Sequence, residues 1–548
     1  MRKATRRAVK LERDAARGCE PMVKQIRKNA QRSVNHRSFI DSMLGLLGLQ
    51  RANHPKIHAQ STDAAQQGRR LRNWNATDLH INSILQGDAR TIRNRSRQQV
   101  RDNCYAANAI ESFVANLVGD GVKPSVIMTD DVAAGQPISK ELKKRVQWLW
   151  YDWIDQADAD GLLDFYGQQA VIARALFDAG ESFVRFRLRR ASDGFVIPLQ
   201  LQMLEADQLP IEEQGFGVNQ NNQVRCGIEF NPIGKRVAYH FYRSHPGDFT
   251  DARGFGEITV VPASEIMHIY QVTRPGQIRG IPRMMAAIVK MFILDSYDDA
   301  ELERKRTAAM PVGSITSPGS EDTLLDESEE LNPSSGKEEM IADIEPGTFM
   351  KFLPGEEINY FQTPDVGGNY EAFQYRTLTQ IMAGMGIPYM NGTGDLRAAN
   401  YSSMRSGQLE FRRRMSQLLN STIVYQLCRP VWQRFILEAA INGMLGSVSQ
   451  EEVIALQRRV KWIPPKWDWI DPQKDVNAAI AEVNAGFASR DEKIEERGGE
   501  PDEVDAAQAA GDARAKELGL KRGMAEAPSG FIDQGSKENQ QQENDDQQ

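Results

Sequence analysis

The spacing of apolar residues changes twice along the chain, and this change limits the possible folds more than any other feature. From Asp88 to Leu117, apolar residues recur at helical intervals. Over residues 184–189, apolar residues and arginine alternate strictly, which is the period of a half-buried strand. The helical interval returns after Pro282. Separate helical and sheet parts of this kind predict an α+β fold that is rich in helix.

The pattern is detailed enough to place individual elements. Helices are predicted at about 88–118, 139–156, 164–178, 283–308 and 370–385, from 402 onward, and as short polar helices over 475–525. Strands are predicted at 184–189, 199–203, 226–230, 236–242, 258–261 and 266–270. Residues 231–234 are predicted to form the turn of a hairpin. Pro430 should kink the helix that follows residue 402, because its ring clashes with the preceding turn.

The length and charge of the chain suggest its organisation. A chain of 548 residues exceeds one ordinary core, so two to four packed units are expected. The net charge is −7, yet residues 1–50 carry twelve Lys and Arg against four Asp and Glu. This leader could meet nucleic acid or an acidic partner, or it could be a solvated and partly disordered arm. Translation could also begin at Met22 or Met43, in which case much of the arm would not be made.

The sequence patterns argue against an enzyme. No GxxxxGK[ST] loop is present, so an ATP-driven motor is not supported. Residues 392–394 contain two glycines but lack the third glycine and the preceding strand of a dinucleotide-binding loop. No GxSxG string or nucleophile–base set can be proposed from spacing. We therefore predict no catalytic residue.

No metal or cofactor is predicted either. The carboxylates of Asp295, Asp298, Asp299, Glu301 and Glu303 could suggest a two-metal site, but the basic run 304–306 follows directly and favours an ion-paired helix. The four cysteines show no CxxC spacing, which fits a reducing compartment. Among the seven histidines, His268 is predicted to be a satisfied core residue on a strand. The sequence contains no run of about eighteen uncharged apolar residues, so no membrane span is predicted.

Particular strings resemble the lambda-like family of phage portal proteins. They occur in the order of the family and cover about residues 65–510, at 92–97, 117–121, 227–230, 237–240, 277–282, 400–405, 469–472 and 486–489. The resemblance implies a ring, typically of twelve subunits, at one capsid vertex. It also implies that double-stranded DNA is packaged and ejected through the ring, with a separate terminase large subunit as the motor. Further partners implied are the major capsid and scaffolding proteins and the head–tail connector proteins, in the virion and, during assembly, in the host cytoplasm.

The resemblance also implies an architecture of named parts. These are a wing (61–282), two stem helices (283–310 and 366–388), a clip (311–365), a tunnel loop (389–402), a long kinked helix with a return to the wing (403–470) and a crown (471–524). The basic leader (1–60) goes beyond the family pattern, and a disordered acidic tail (525–548) is predicted from composition.

Site residues follow from these parts. The residues expected to face the channel and its DNA are Asn391, Thr393, Asp395, Arg397, Asn400 and Tyr401. The residues expected to face terminase from the clip are Glu321, Asp322, Glu329, Glu330 and Lys337. Arg397 should lie nearest the DNA phosphates, or else pair with Asp395 or a neighbouring subunit. The alternative to a portal is a non-portal capsid or head–tail adaptor protein, which would not need two long helices around an insertion.

Overall fold

The computed structural model describes most of the chain after residue 75. The described residues are 76–127, 138–250, 256–309, 313–316, 357–360, 369–397, 401–467 and 472–520. The chain divides after Asp78, and every element below belongs to the unit that begins at Leu79.

The described residues form an α+β structure rich in helix, as predicted. The helices are α1 (Ile81–Asp102), α2 (Cys104–Leu117), α3 (Lys140–Ile154), α4 (Phe165–Asp178), α5 (Ile288–Ala309), α6 (Asn369–Met385), α7 (Tyr389–Thr393), α8 (Tyr401–Leu418), α9 (Arg429–Ile441), α10 (Gln450–Arg458), α11 (Pro472–Asn484), α12 (Arg490–Glu495) and α13 (Pro501–Glu517). The strands are β1 (Lys123–Val126), β2 (Glu181–Leu188), β3 (Leu199–Leu204), β4 (Gly215–Phe216), β5 (Gln223–Arg225), β6 (Ile228–Phe230), β7 (Arg236–Tyr242), β8 (Ile258–Pro262), β9 (Ile266–Tyr270), β10 (Gly313–Thr316), β11 (Glu357–Tyr360) and β12 (Val460–Ile463).

Two antiparallel sheets form the middle of the chain. One has the strand order β3–β2–β9, and the other has the order β4–β5–β6–β7–β8. The predicted hairpin is present as β6 and β7, with a register shift beside Phe230. Two short pairs, β1 with β12 and β10 with β11, join parts of the chain that are distant in sequence.

The first predicted helix is two helices, because Asn103 interrupts it. The Asn103 side-chain oxygen accepts hydrogen bonds from the backbone N–H groups of Tyr105 and Ala106, at 3.0 and 3.1 Å. Asparagine favours this capping position over a helix interior, since its side chain competes for backbone groups. Its amide nitrogen also donates to Asp295 of α5, at 3.0 Å. The apolar spacing continues through the break, so periodicity alone predicted a single helix.

The larger core is built around aromatic side chains from α3, α4 and α9. The ring centroids of Trp150 and Phe435 are 5.0 Å apart, and those of Trp153 and Phe435 are 5.3 Å apart. The buried indole N–H of Trp153 donates to the Leu199 carbonyl, so burial leaves this donor satisfied. Val184 and Phe186 of β2 face the same core. The helices therefore cover one side of the β3–β2–β9 sheet.

The other side of that sheet carries a buried ionic junction. The Glu181 carboxylate accepts from the Arg279 Nε at 2.8 Å and lies 3.0 Å from the Nε2 of His268. Arg93 of α1 approaches it at 3.7 Å. The side chains of all four residues are at most 4% exposed. The junction ties α1, β2, β9 and the segment after β9 together.

Gly280 allows the segment after β9 to reach this junction. A Cβ on Gly280 would lie 2.2 Å from the Gly180 carbonyl oxygen, so only glycine permits this approach. The Gly280 N–H donates to Glu181 at 2.7 Å. Burial alone would raise the pKa of Glu181, but the Arg279 guanidinium and His268 hold that pKa far below its ordinary range.

The same junction predicts a loss of stability in mild acid. Burial lowers the pKa of His268 from 6.5 to about 4, although Glu181 opposes the shift. The folded state then binds fewer protons than the unfolded state, so this contribution is complete above pH 6.5 and is lost as the pH falls towards 4. We expect His268→Gln to reduce the fall in melting temperature between pH 7 and pH 5, as measured by circular dichroism. An unchanged fall in the variant would contradict this assignment.

A wide helical segment precedes Pro430. Residues Leu419–Cys428 form a π-helix between α8 and α9, and the Arg429 N–H bonds to the Val424 carbonyl, five residues back. Pro430 was predicted to kink this helix, and a stretch of wider π-helical turns lies directly before it. In the π-helix, Gln426 accepts from the Tyr270 backbone N–H at 2.9 Å and donates to the Tyr270 carbonyl at 3.1 Å.

The two predicted stem helices, α5 and α6, lie side by side and antiparallel. Lys290 near the start of α5 donates to Gln380 near the end of α6, at 2.7 Å. Asp298, further along α5, accepts from Tyr370 at the start of α6, at 2.8 Å. A 3₁₀ turn at Arg283–Ala286 comes first, so α5 begins about five residues later than predicted. The segment between them that was predicted to form the clip lies mostly outside the described residues.

Candidate functional site

The predicted tunnel loop is mostly helical in the structure. Tyr389–Thr393 form α7, and α8 already begins at Tyr401. Gly394, with φ of +72°, ends α7 in the left-handed conformation that glycine adopts at low cost. The described residues that remain outside helices are therefore few, and the prediction of a loop over all of 389–402 was wrong in extent.

Packing, and not flexibility, explains the glycine and asparagine in α7. A Cβ on Gly392 would lie 2.2 Å from the Met382 sulfur. The Asn108 side chain donates to the carbonyl oxygens of Asn391 and Gly392, both at 2.9 Å. Gln408 of α8 donates to the Asn391 side chain. These hydrogen bonds and the close contact of Gly392 with Met382 hold α7 against α2, α6 and α8.

Arg397 is the exposed basic residue of the segment 389–402, and its guanidinium is ion-paired with two carboxylates. Its guanidinium donates to both Asp395 oxygens at 3.0 Å and to Glu371 of α6 at 3.0 Å. Hydrogen bonds from Arg397 lower the pKa of Asp395 to about 2, and Asp395 in turn raises the pKa of Arg397. The Arg397 side chain remains 76% exposed. Of the two predicted alternatives, the single chain shows the pairing with Asp395.

The other predicted site residues fall into three groups. The backbone and side chain of Asn391 are bonded within the protein, and the Thr393 hydroxyl donates to the Tyr389 carbonyl. Tyr401 begins α8, but its side chain lies outside the described residues, as does all of Asn400. The clip residues Glu321, Asp322, Glu329, Glu330 and Lys337 also lie outside them. Glu371 and Asn108 were missed, because each acts on this segment from a distant helix.

The carboxylates of α5 have partners within the protein. Asp295 accepts from Asn103, Asp298 from Tyr370 and Gln374, and Glu301 pairs with Arg304. The Glu301–Arg304 pair matches the ion-paired helix that the sequence favoured, whereas Asp295 and Asp298 bond to neutral side chains outside α5. A different group, Glu205, Asp207 and His245, is the one in the described part of the chain that could hold a metal ion. Arg97 pairs with both of those carboxylates, at 2.9 and 2.5 Å, so their charge is already compensated.

One face of α5 is apolar and exposed. The buried face packs Ile288, Met291 and Leu294 into the larger core. On the opposite face of α5 and of the 3₁₀ turn before it, which we call the outer stem face, the exposed apolar residues are Met285 (46%), Val289 (62%), Phe292 (60%) and Ile293 (60%). The start of the stem therefore carries apolar side chains on both its buried and its outer face, a composition typical of a helix that is covered on both sides. The single chain covers only one side.

Comparison with known families decides the identity. The family model described as phage portal protein, lambda family, matches residues 67–418, more than half of the chain. The chain belongs to the lambda family of phage portal proteins. The probable portal protein of Halomonas phage phiHAP-1 is 24% identical over 80% of this chain and 84% of its own length. Portal protein B of Escherichia phage lambda is 21% identical over 83% of this chain and 89% of its own.

Membership confirms the resemblance drawn from the short strings. The family is structural, and this portal protein is a component of the phage particle. Among solved structures, the neck of an empty gene transfer agent particle aligns with a TM-score of 0.43, at 14% identity over 76% of this chain and 94% of that one. Within the described residues, no helix is both long and apolar enough to cross a membrane.

Proposed function

We propose that copies of this portal protein form a closed ring of twelve subunits through which double-stranded DNA is packaged and ejected. The observation that carries the proposal is the outer stem face, since an apolar helix face of this size marks a protein interface. In a ring, each subunit would place this face against its neighbour. Covering the four side chains would bury the exposed large apolar residues over positions 285–293.

The position of the ring follows from the same proposal. It would occupy one vertex of the capsid in the virion, held by the major capsid protein and first by scaffolding protein in the host cytoplasm. Terminase would dock on the clip between α5 and α6, where the segment is rich in Ser, Gly and Glu. The head–tail connector proteins would follow after packaging. Catalysis would belong to terminase, in agreement with the lack of catalytic motifs in this sequence.

The mass and symmetry of the purified protein test the proposal first. Light scattering combined with negative-stain imaging should show rings of about twelve subunits with a central hole. A stable monomer or dimer at every salt concentration would reject the ring. That outcome would favour the head–tail adaptor alternative, which needs no channel.

We further propose that the segment 389–402 lines the channel without gripping DNA. The pairs of Arg397 with Asp395 and Glu371 leave no uncompensated positive charge at this position. We expect Arg397→Ala to package DNA at close to the wild-type rate in a packaging assay with purified terminase. Glu371→Gln combined with Asp395→Asn should slow packaging, because it frees a cation that can hold phosphate. A severe defect in Arg397→Ala alone would contradict the proposal and restore the gripping role.

A further inference from the structure

Three arginines lie in a row on one side of β2 and its extension. The strand alternates, so Val184 and Phe186 face the larger core while Arg185, Arg187 and Arg189 share the opposite side. We call these three residues the arginine row. The alternation of residues predicted a half-buried strand. The proposed DNA channel assigns no role to the basic side of this strand.

The residues opposite the row are amides. Arg187 donates to the Gln202 side chain at 2.8 Å, and Arg189 donates to the Gln200 side chain at 2.7 Å. In the described part of the chain, neither guanidinium contacts a carboxylate. Arg185 does pair with Glu265, at 3.0 Å. Burial and then the neighbouring charges of Arg185 and Arg189 lower the pKa of Arg187, so the row is crowded with like charge.

The first two arginines of the row line an open groove between the two sheets. Arg243 also lines the groove, where it pairs with Glu257 at 2.7 Å. Among the apolar lining residues, Phe241 and Val261 are at most 3% exposed and Ile258 is 40% exposed. The surface that a ligand would meet is therefore mainly polar, with three arginines, one glutamate and one exposed isoleucine.

We propose that the arginine row is a second DNA-binding site, which holds the phosphodiester backbone of duplex DNA outside the channel. Guanidinium groups bind phosphate oxygens with two parallel hydrogen bonds, and amide partners leave the charges of Arg187 and Arg189 available. The row spans about 13 Å along the strand, with about 6.6 Å between successive arginines, a spacing close to the distance between neighbouring phosphates of a DNA strand. The proposal rests on the ring, which brings packaged DNA close to the protein.

The groove suits DNA better than an acidic protein segment. A protein interface needs an accessible apolar centre with aromatic or aliphatic anchors. Here Phe241 and Val261 are buried, Ile258 is the one exposed large apolar residue of the lining, and Leu188, which is 56% exposed, lies on the opposite side of the strand. A phosphate backbone needs only the cations and their spacing.

Covalently closed circular duplex DNA tests the site, because a closed circle cannot thread a ring that has already formed. The binding of purified rings to this DNA would be measured at several salt concentrations. Arg187→Gln with Arg189→Gln should reduce the slope of log affinity against log salt by about 1.8, which is 0.9 for each lost phosphate contact. Arg187→Lys with Arg189→Lys retains both charges and should keep the wild-type slope.

The matched control removes two arginines that have carboxylate partners. Arg101 pairs with Asp102 at 2.9 Å and Arg174 with Glu111 at 2.6 Å, and both are exposed. Arg101→Gln with Arg174→Gln changes the net charge equally and should leave the slope unchanged. An unaltered slope in the Arg187–Arg189 double glutamine variant would overturn the proposal. So would a variant that loses polyglutamate binding but keeps its DNA slope, since the partner would then be an acidic protein.

The proposal of a ring and the proposal of a second DNA-binding site can be rejected by different experiments. Light scattering on the wild-type protein decides whether the ring exists. If wild-type rings form and the slope does not respond to the arginine substitutions, the inference fails and the proposed channel stands. If no rings form under any condition, both the channel and the DNA supply on which this site depends are rejected.

Discussion

Glu181→Gln should lower the free energy of unfolding by about 3–5 kcal/mol, the cost of removing one partner from a buried ion pair. The substitution keeps the size of the side chain but removes its charge. Arg279, whose side chain is 1% exposed, would then lie in the protein interior without its carboxylate. Its three carbonyl acceptors, on Ala206, Leu209 and Cys226, cannot replace a full negative charge.

Urea denaturation of the unassembled protein would measure this effect. The control is Glu257→Gln, which breaks an ion pair with Arg243 whose two side chains are 60% and 62% exposed. An exposed pair of this kind contributes at most about 1 kcal/mol. If both variants unfold at the wild-type urea midpoint, the junction does not stabilise the fold.

Phe292→Asp should abolish ring assembly and leave the subunit folded. The side chain is 60% exposed in the single chain, so the substitution changes little inside the subunit. In the ring, an aspartate would be buried against the apolar face of a neighbour. A central interface residue contributes about 2–4 kcal/mol, so each contact should weaken by roughly 30- to 1000-fold. Every subunit of a closed ring makes two such contacts, which compounds the loss.

Size-exclusion chromatography with light scattering would detect the shift from rings to monomers. The control is Ile233→Asp, in the hairpin turn between β6 and β7, where the side chain is 85% exposed. This variant removes an exposed apolar residue far from α5 in sequence and should assemble normally. Wild-type rings in Phe292→Asp would show that the outer stem face is not the interface.

Local pattern predicted several elements well. β9 was placed at its observed residues, and α3 and α4 were placed within two residues of their observed ends. α3 has one face in the core, so its apolar period carries the information, whereas all five residues of β9 are buried and form a short apolar run around His268. The break at Asn103 escaped prediction because apolar residues on both sides keep the same interval. The signal there was a buried asparagine that caps a helix.

The ionic junction could not be predicted, because its members are far apart in sequence. Glu181, Arg93 and Arg279 meet only after two sheets and α1 have assembled. A lone glutamate at the start of a strand resembles a surface residue until its partners are known. The sequence did mark the segment 277–282, since it is one of the strings shared with the family.

The segment that the resemblance assigned to the channel was misjudged in its local structure. Glycine and asparagine at 391–394 are typical of a loop, and here they permit close packing against Met382 and Asn108. Tertiary contacts thus overrode the local preference. The pairing of Arg397 with Asp395 was foreseen as an alternative, whereas the second carboxylate, on Glu371, comes from a helix whose approach no local pattern reveals.

The bond pair between Gln426 and Tyr270 bears on aggregation. β9 is an edge strand of its sheet, and the unpaired backbone groups of such an edge can recruit a strand from another molecule. Gln426 occupies both backbone groups of Tyr270 and so blocks strand addition at that residue. Blocking strand addition at this residue disfavours the aggregation of subunits that have not yet assembled. Loss of this amide, as in Gln426→Leu, would leave the N–H and the carbonyl of Tyr270 without these two hydrogen bonds at the edge of the sheet.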